Sequence, residues 1–121
     1  MKETLISFCI VNLNAKNHLI SCLESISMST KYDFFEIIVV DNNSNDGSIE
    51  LLRHHYPEVK LIINLRNEGY TKAINKALRL SKGKYKVVLN PDTELMPNAV
   101  DIMINYTVSY THLRAHETSD Y

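Results

Sequence analysis

Four short apolar runs, each separated from the next by a stretch of helical periodicity, constrain this chain more than any other feature. Leu5–Val11 (LISFCIV), Phe35–Val40 (FEIIVV), Lys60–Asn64 (KLIIN) and Tyr85–Leu89 (YKVVL) read as strands. The first two are apolar without alternation, as strands covered on both faces are. Between them, Leu19, Leu23 and Ile26 recur at i, i+4 and i+7, one face of a helix. A second helix runs through IELLRHHY until Pro57 stops it. A third places Tyr70, Ala73, Ile74, Ala77 and Leu78 on one stripe, with Gly83 suited to a left-handed C-cap. Pro97 sits where a final helix would start. This alternation predicts an α/β fold, a mostly parallel sheet with helices on both faces and right-handed crossovers.

The 121 residues make about one domain, long enough to bury a core. Hydrophobic residues at 45% and charged residues at 22% are an ordinary globular balance. A net charge of −1 offers no electrostatic footprint for nucleic acid, which is set aside as a partner. Cys9 and Cys22 lie in apolar stretches without metal-ligand spacing and read as reduced, buried thiols of a cytosolic protein. No apolar run approaches the ~20 residues that span a bilayer.

The last stretch, Val108 to Tyr121 (VSYTHLRAHETSDY), has no clear period, and VSYTHLRAHET resembles one reading frame of a transposase-type sequencing adapter. Residues 1–107 are therefore expected to be native and 108–121 a non-native tail on a truncated chain. His112 and His116 have the i, i+4 spacing of a helical metal pair, but no glutamate adjoins His112 and the metal reading is rejected.

In open α/β sheets ligands bind beyond the carboxyl ends of the strands, where strand order switches. Every such end here carries amides or carboxylates: Asn12 and Asn14 after the first strand, and Asp41, Asn42 and Asn43 after the second. Asn67 and Glu68 follow the third, and Asn90 and Asp92 the fourth. Each alone is ordinary turn or cap chemistry; Ser44 or Asp46 reads as a helix N-cap and Asn64 as a turn residue. Asp92, between Pro91 and Thr93 just past a buried strand, is less easily explained that way. A carboxylate there can hold a hard cation of the Mg²⁺ type together with substrate phosphates. A dinucleotide fingerprint and a P-loop both need glycines that VNLNAKN lacks, and a receiver domain needs an acidic pair where asparagines stand.

The blocks IVNLNAKNHLISCLESI, EIIVVDNNSNDGSIELL, NLRNEGYTKAINKAL and KGKYKVVLNPDTELMPNAV resemble glycosyltransferase family 2, most nearly its rhamnosyltransferase-like branch. The resemblance runs from about Leu5 to Tyr106 and implies the Rossmann-like, nucleotide-binding half of a GT-A fold. The family's first strand usually ends V-T/S-Y-N around the pyrimidine base; here Val11, Asn12, Leu13 and Asn14 stand there, with Leu13 replacing the usual aromatic. The family's V-D-x-x-S block implies base and ribose contacts at Asp41 and Asn42. Asn67, Gly69 and Asn75 match positions near the diphosphate. Asn90, Pro91 and Asp92 match the D-x-D signature, leaving Asp92 as the implied ligand of Mg²⁺ or Mn²⁺ and Asn90 as an amide in place of its partner.

The reaction so implied moves a sugar from a nucleoside diphosphate (dTDP-rhamnose or a UDP-sugar) to a hydroxyl of a glycan or lipid-linked acceptor, with inversion. It serves cell-surface polysaccharide or glycan synthesis. The general base is expected further along the chain than Tyr106, so these 121 residues are expected to bind nucleotide weakly without transferring sugar. A non-catalytic nucleotide-binding module of the same fold is the alternative. The expected location is cytoplasmic, at the membrane's cytoplasmic face in the full-length protein.

Overall fold

A computed structural model describes residues 3–106; the tail predicted from Val108 lies outside the described residues. The elements alternate as β1 (Ile6–Asn12), α1 (Lys16–Ser29), β2 (Phe35–Asp41), α2 (Ser48–His55), β3 (Lys60–Ile63), α3 (Tyr70–Leu80) and β4 (Tyr85–Leu89). Residues 99–106 are helical and are called α4. The strands lie in the order β3-β2-β1-β4, every neighbouring pair parallel. The chain thus steps outward from β1 to β3, then returns across the sheet to place β4 on the far side of β1.

That reversal puts helices on both faces, as the alternation predicts. Strand residues of even number in β1 (Ile6, Phe8, Ile10) pack with Leu19, Cys22, Leu23 and Ile26 of α1, Leu52 of α2, and Val100 and Ile104 of α4. Odd-numbered Cys9 and Val11 pack with Ile38, Val40 and the Ala73, Ile74, Ala77 stripe of α3. Phe8 meets Phe35 edge to face at 5.6 Å, a favoured aromatic geometry. Each fully buried aliphatic or aromatic side chain here contributes roughly 1.5–3 kcal/mol relative to exposure, which is why the central strands carry so few polar residues.

Some expectations are corrected. Gly83 is not a left-handed cap: α3 ends at Leu80 with Ser81 extended, and a Cβ on Gly83 would meet the Ser7 backbone nitrogen at 2.6 Å. Glycine is required because the turn into β4 presses against β1. Tyr70, predicted to lie on the buried stripe, opens α3 at the rim and is exposed. β4 is an edge among the described strands, with Lys86 and Val88 exposed on its α3 side. The final helix starts at residue 99, two positions past Pro97.

The strand ends decide where a ligand can sit. Pairing of β1 with β2 runs to Asn12↔Asp41, whereas pairing of β1 with β4 stops at Ile10↔Leu89. Beyond Ile10 the sheet opens between β1 and the Asn90 turn. This is the switch point of the strand order, the place where open α/β sheets accept ligands.

Candidate functional site

The first part of the rim is a buried polar lock. Asn12 and Asp41 are both fully buried, and Asn12 Nδ2 donates to Asp41 Oδ1 at 2.9 Å. Because a carboxylate only accepts, the amide must face it with its NH₂, and the amide oxygen of Asn12 has no hydrogen-bond partner among the described residues. Ser44 completes the lock: its amide donates to Asp41 Oδ2 at 2.7 Å and its hydroxyl to Oδ1 at 2.8 Å. The same hydroxyl accepts from the Asn14 amide at 2.9 Å. Ser44 is therefore a hub between two loops rather than a helix cap. Asn14 is exposed, with φ 50°, and Asn43 has φ 68°; asparagine tolerates this left-handed region better than most residues.

Asp46 is not the N-cap of α2 either, a position held by Gly47, but its carboxylate ties the starts of two helices. It accepts from the Lys16 amide at 3.0 Å and the Ser48 amide at 3.0 Å, so one carboxylate serves the first turns of α1 and α2. Partial burial opposes its charge, yet the hydrogen bonds from Ser48 and Lys16 outweigh that and hold its carboxyl below the ordinary value.

A second lock joins β2 to the loop before α3. Asn42, nearly fully buried, accepts at Oδ1 from Asn64 Nδ2 at 2.8 Å and donates to the Gly69 carbonyl at 3.2 Å. Lys76 Nζ donates in turn to Asn64 Oδ1 at 2.5 Å. Asn64 is thus a buried anchor, not the turn residue its sequence suggests. Exposed Asn67 accepts from the Gly69 amide at 2.9 Å, and Gly69, at φ 84°, uses a backbone that side chains resist. Asn75 lies on the exposed side of α3 and takes no part in either lock.

The third part is the Asn90-Pro91-Asp92 turn, closed by the Thr93 amide donating to the Asn90 carbonyl at 3.0 Å. Asn90 and Asp92 are exposed. Val11 sits in the α3-side core, so only its main chain is left for a ligand, while Leu13 is 43% exposed on the rim. The candidates therefore divide into a buried frame (Val11, Asn12, Asp41, Asn42) and an exposed surface (Asn14, Asn67, Gly69, Asn90, Asp92). A groove of 490 Å³ lies elsewhere, along β4 and α4, lined by Tyr85, Val87, Val100 and Ile104; it shares no residue with this rim.

Among the described residues no three of His, Cys, Asp or Glu gather as a ready-made metal cage. One exposed carboxylate beside an amide fits a Mg²⁺-type ion that takes its other ligands from phosphates and water, and does not fit a structural zinc site.

Comparison with known proteins agrees with this geometry. Chondroitin synthase of Escherichia coli is 33% identical over 104 residues, covering 84% of this chain and 15% of that protein. An uncharacterized glycosyltransferase of Methanocaldococcus jannaschii is 31% identical over 110 residues, covering 88% of this chain and 38% of its own length. The chain thus spans well under half the length of these relatives. Among solved structures, residues 1–349 of S. aureus TarS superpose with a TM-score of 0.76 at 18% identity, over 90% of this chain and 33% of that one. The mannosyltransferase PcManGT of Pyrobaculum calidifontis, solved with GDP-Man and Mn²⁺, gives 0.68 at 22% identity, over 81% and 30%. Both likenesses show the fold, the parallel α/β half of a GT-A architecture. The profile of Glycosyl transferase family 2 matches residues 7–112, nearly the whole described sheet and its rim, and the chain belongs to that family.

Proposed function

We propose that the rim binds a nucleoside-diphosphate sugar, and that the whole protein transfers the sugar to an acceptor hydroxyl with inversion. The observation that carries this reading is the opening of the sheet after Ile10↔Leu89, with Asp92 and Asn90 exposed on one side and the Asn12–Asp41–Ser44 lock on the other. TarS has been solved with UDP and with UDP-GlcNAc, and PcManGT with GDP-Man and Mn²⁺; nucleotides of this kind are the expected donors, dTDP-rhamnose included. Residues 1–107 are read as the nucleotide-sugar part and 108–121 as a non-native segment, although the family match runs on to residue 112.

In this reading the acceptor oxygen bonds to the anomeric carbon as the bond to the diphosphate breaks, and the hydroxyl proton passes to a general base beyond Tyr106. Asp92 would hold a Mg²⁺ or Mn²⁺ ion, and Asn90 would offer an uncharged amide in place of a second carboxylate. When bound, the cation acts as a Lewis acid that offsets charge on the leaving diphosphate. Asp41 and Asn42 act through the loops they fix: Asp41 holds 12–14 against 42–45, and Asn42 holds 64–69, so the exposed Leu13, Asn14 and Asn67 meet the nucleotide in one arrangement. The acceptor is a glycan or lipid-linked saccharide at the cytoplasmic face of the membrane.

Asn90, an amide where the family's signature has aspartate, favours a second reading: a nucleotide-binding module without chemistry. Titrating UDP, GDP and dTDP into the ¹⁵N-labelled chain tests the shared first step. Amide shifts confined to 12–14, 42–45, 67–69 and 90–93 support the rim as the site. Shifts centred on β4 and α4, or none with any of the three, contradict it.

A further inference from the structure

Segment 90–101, which carries Asp92, is fastened along one side of α1 and the residues just after it. The Cys22 thiol lies 3.9 Å from the Asn90 carbonyl, and the Leu95 amide donates to the Ser25 hydroxyl at 3.0 Å. Further along, the Asn98 amide donates to the Met28 carbonyl at 3.2 Å, and Asp101 accepts from the Thr30 hydroxyl at 2.5 Å and the Lys31 amide at 2.9 Å. Cys22 and Ser25 are three residues apart and so share a helix face; their two contacts bracket Asp92 in sequence.

The chemistry of each contact is one-directional. Ser25 commits its proton to the Cys22 carbonyl at 2.7 Å, which leaves its oxygen lone pairs to the Leu95 N–H. Cys22 is fully buried, and burial, with the Asp92 charge adding to it, pushes its thiol up to about 11. In this contact the thiol is the donor and the Asn90 carbonyl the acceptor.

Resting on the cation reading of Asp92, we infer that Ser25, with Cys22, is a positioning residue that sets the Asn90-Pro91-Asp92 turn for metal-assisted binding of the diphosphate. Neither side chain touches the ligand. Their effect is on how much Mn²⁺ strengthens nucleotide binding, not on binding of the nucleotide alone.

The test uses the full chain, with UDP as probe, measured with Mn²⁺ and with EDTA, for wild type, Ser25→Ala, Ser25→Thr and Asp92→Ala. Ser25→Ala is expected to cut the Mn²⁺-dependent gain in affinity about fivefold, the size of one ordinary hydrogen bond. It should leave the affinity in EDTA unchanged and speed hydrogen exchange at the Leu95 amide. Ser25→Thr, which keeps a hydroxyl, should restore both. If Asp92→Ala abolishes the gain and Ser25→Ala does not alter it, the positioning role is wrong and the cation reading stands. An equal loss with Mn²⁺ and with EDTA in Ser25→Ala would mark a general structural defect and overturn the proposal. If wild type gains nothing from Mn²⁺, or Asp92→Ala keeps the gain, the cation reading itself fails and the inference falls with it.

Discussion

Asn12 and Asp41, the last residues of two adjacent parallel strands, stand in register and are joined by a hydrogen bond from Nδ2 to Oδ1 of 2.9 Å. Both are fully buried, whereas Asp92, the carboxylate across the opening, is exposed. Two aspartates of one rim therefore stand in different settings: Asp41 ties the loops together, and Asp92 lies on an exposed turn, where the proposed function has it meet the ligand.

Asp41→Ala removes the acceptor shared by the buried Asn12 amide and the half-buried Ser44 N–H and hydroxyl, leaving Asn12 Nδ2 only its 3.3 Å contact with Ser44 Oγ. Leaving such groups unpaired costs about 1–3 kcal/mol, so a loss of about 3 kcal/mol is expected by urea denaturation. Asp92→Ala, at an exposed turn, should change stability by no more than about 0.5 kcal/mol. Similar losses in the two variants would contradict the division of roles.

Acid should weaken the fold through Glu36 and Asp46. Burial raises both carboxyls, but for Glu36 the hydrogen bonds from Lys60, Ser7 and the Lys82 amide lower its pKa overall from 4.5, and those from Ser48 and Lys16 lower Asp46 from 3.8. A lowered folded pKa means that the unfolded chain binds more protons in that range. The contribution is therefore whole above the ordinary values and is lost as pH falls through the lowered ones. Glu36→Gln should be less stable than wild type at neutral pH and lose less on acidification; parallel acid limbs in urea midpoints would refute this.

Gly83→Ala introduces a methyl against the Ser7 amide nitrogen at 2.6 Å and the Ile6 carbonyl carbon at 2.8 Å, both backbone. Backbone cannot rotate aside as a side chain can, so overpacking of about 1–3 kcal/mol is expected, read from thermal or urea unfolding. A neutral result would mean that β4 can move away from β1.

Both cysteines are buried and free, and burial raises both thiols, Cys22 to about 11. Thiolate is the reactive form. At pH 8 alkylation by iodoacetamide should be slow in the folded chain and fast in urea; rapid folded-state labelling of Cys22 would show the 90–95 loop to be loosely held.

The layer order and most element limits were legible because burial on both faces leaves a local trace. Ile38, Val39 and Val40 form one apolar run since each packs on one helical layer or the other. What depends on distant partners left none. YKVVL looks like a covered strand, and it is the place of β4 at the edge of the described strands that exposes Val88. Asn64 resembles any turn asparagine, because its partners Asn42 and Lys76 stand 22 and 12 residues away. The rim was readable as a set of amides at strand ends, but not its split into frame and surface. Val11, Asp41 and Asn42 proved buried, and Asn75 stands apart from both locks.

The most direct test of the account is calorimetric titration of UDP into the wild-type chain and Asp92→Ala, each with Mn²⁺ and with EDTA. Mn²⁺ should tighten binding to wild type by about tenfold or more, some 1.4 kcal/mol. Asp92→Ala should lose that gain while keeping the weak affinity seen in EDTA. Equal Mn²⁺ dependence in both proteins, or none in either, would contradict a cation site at Asp92.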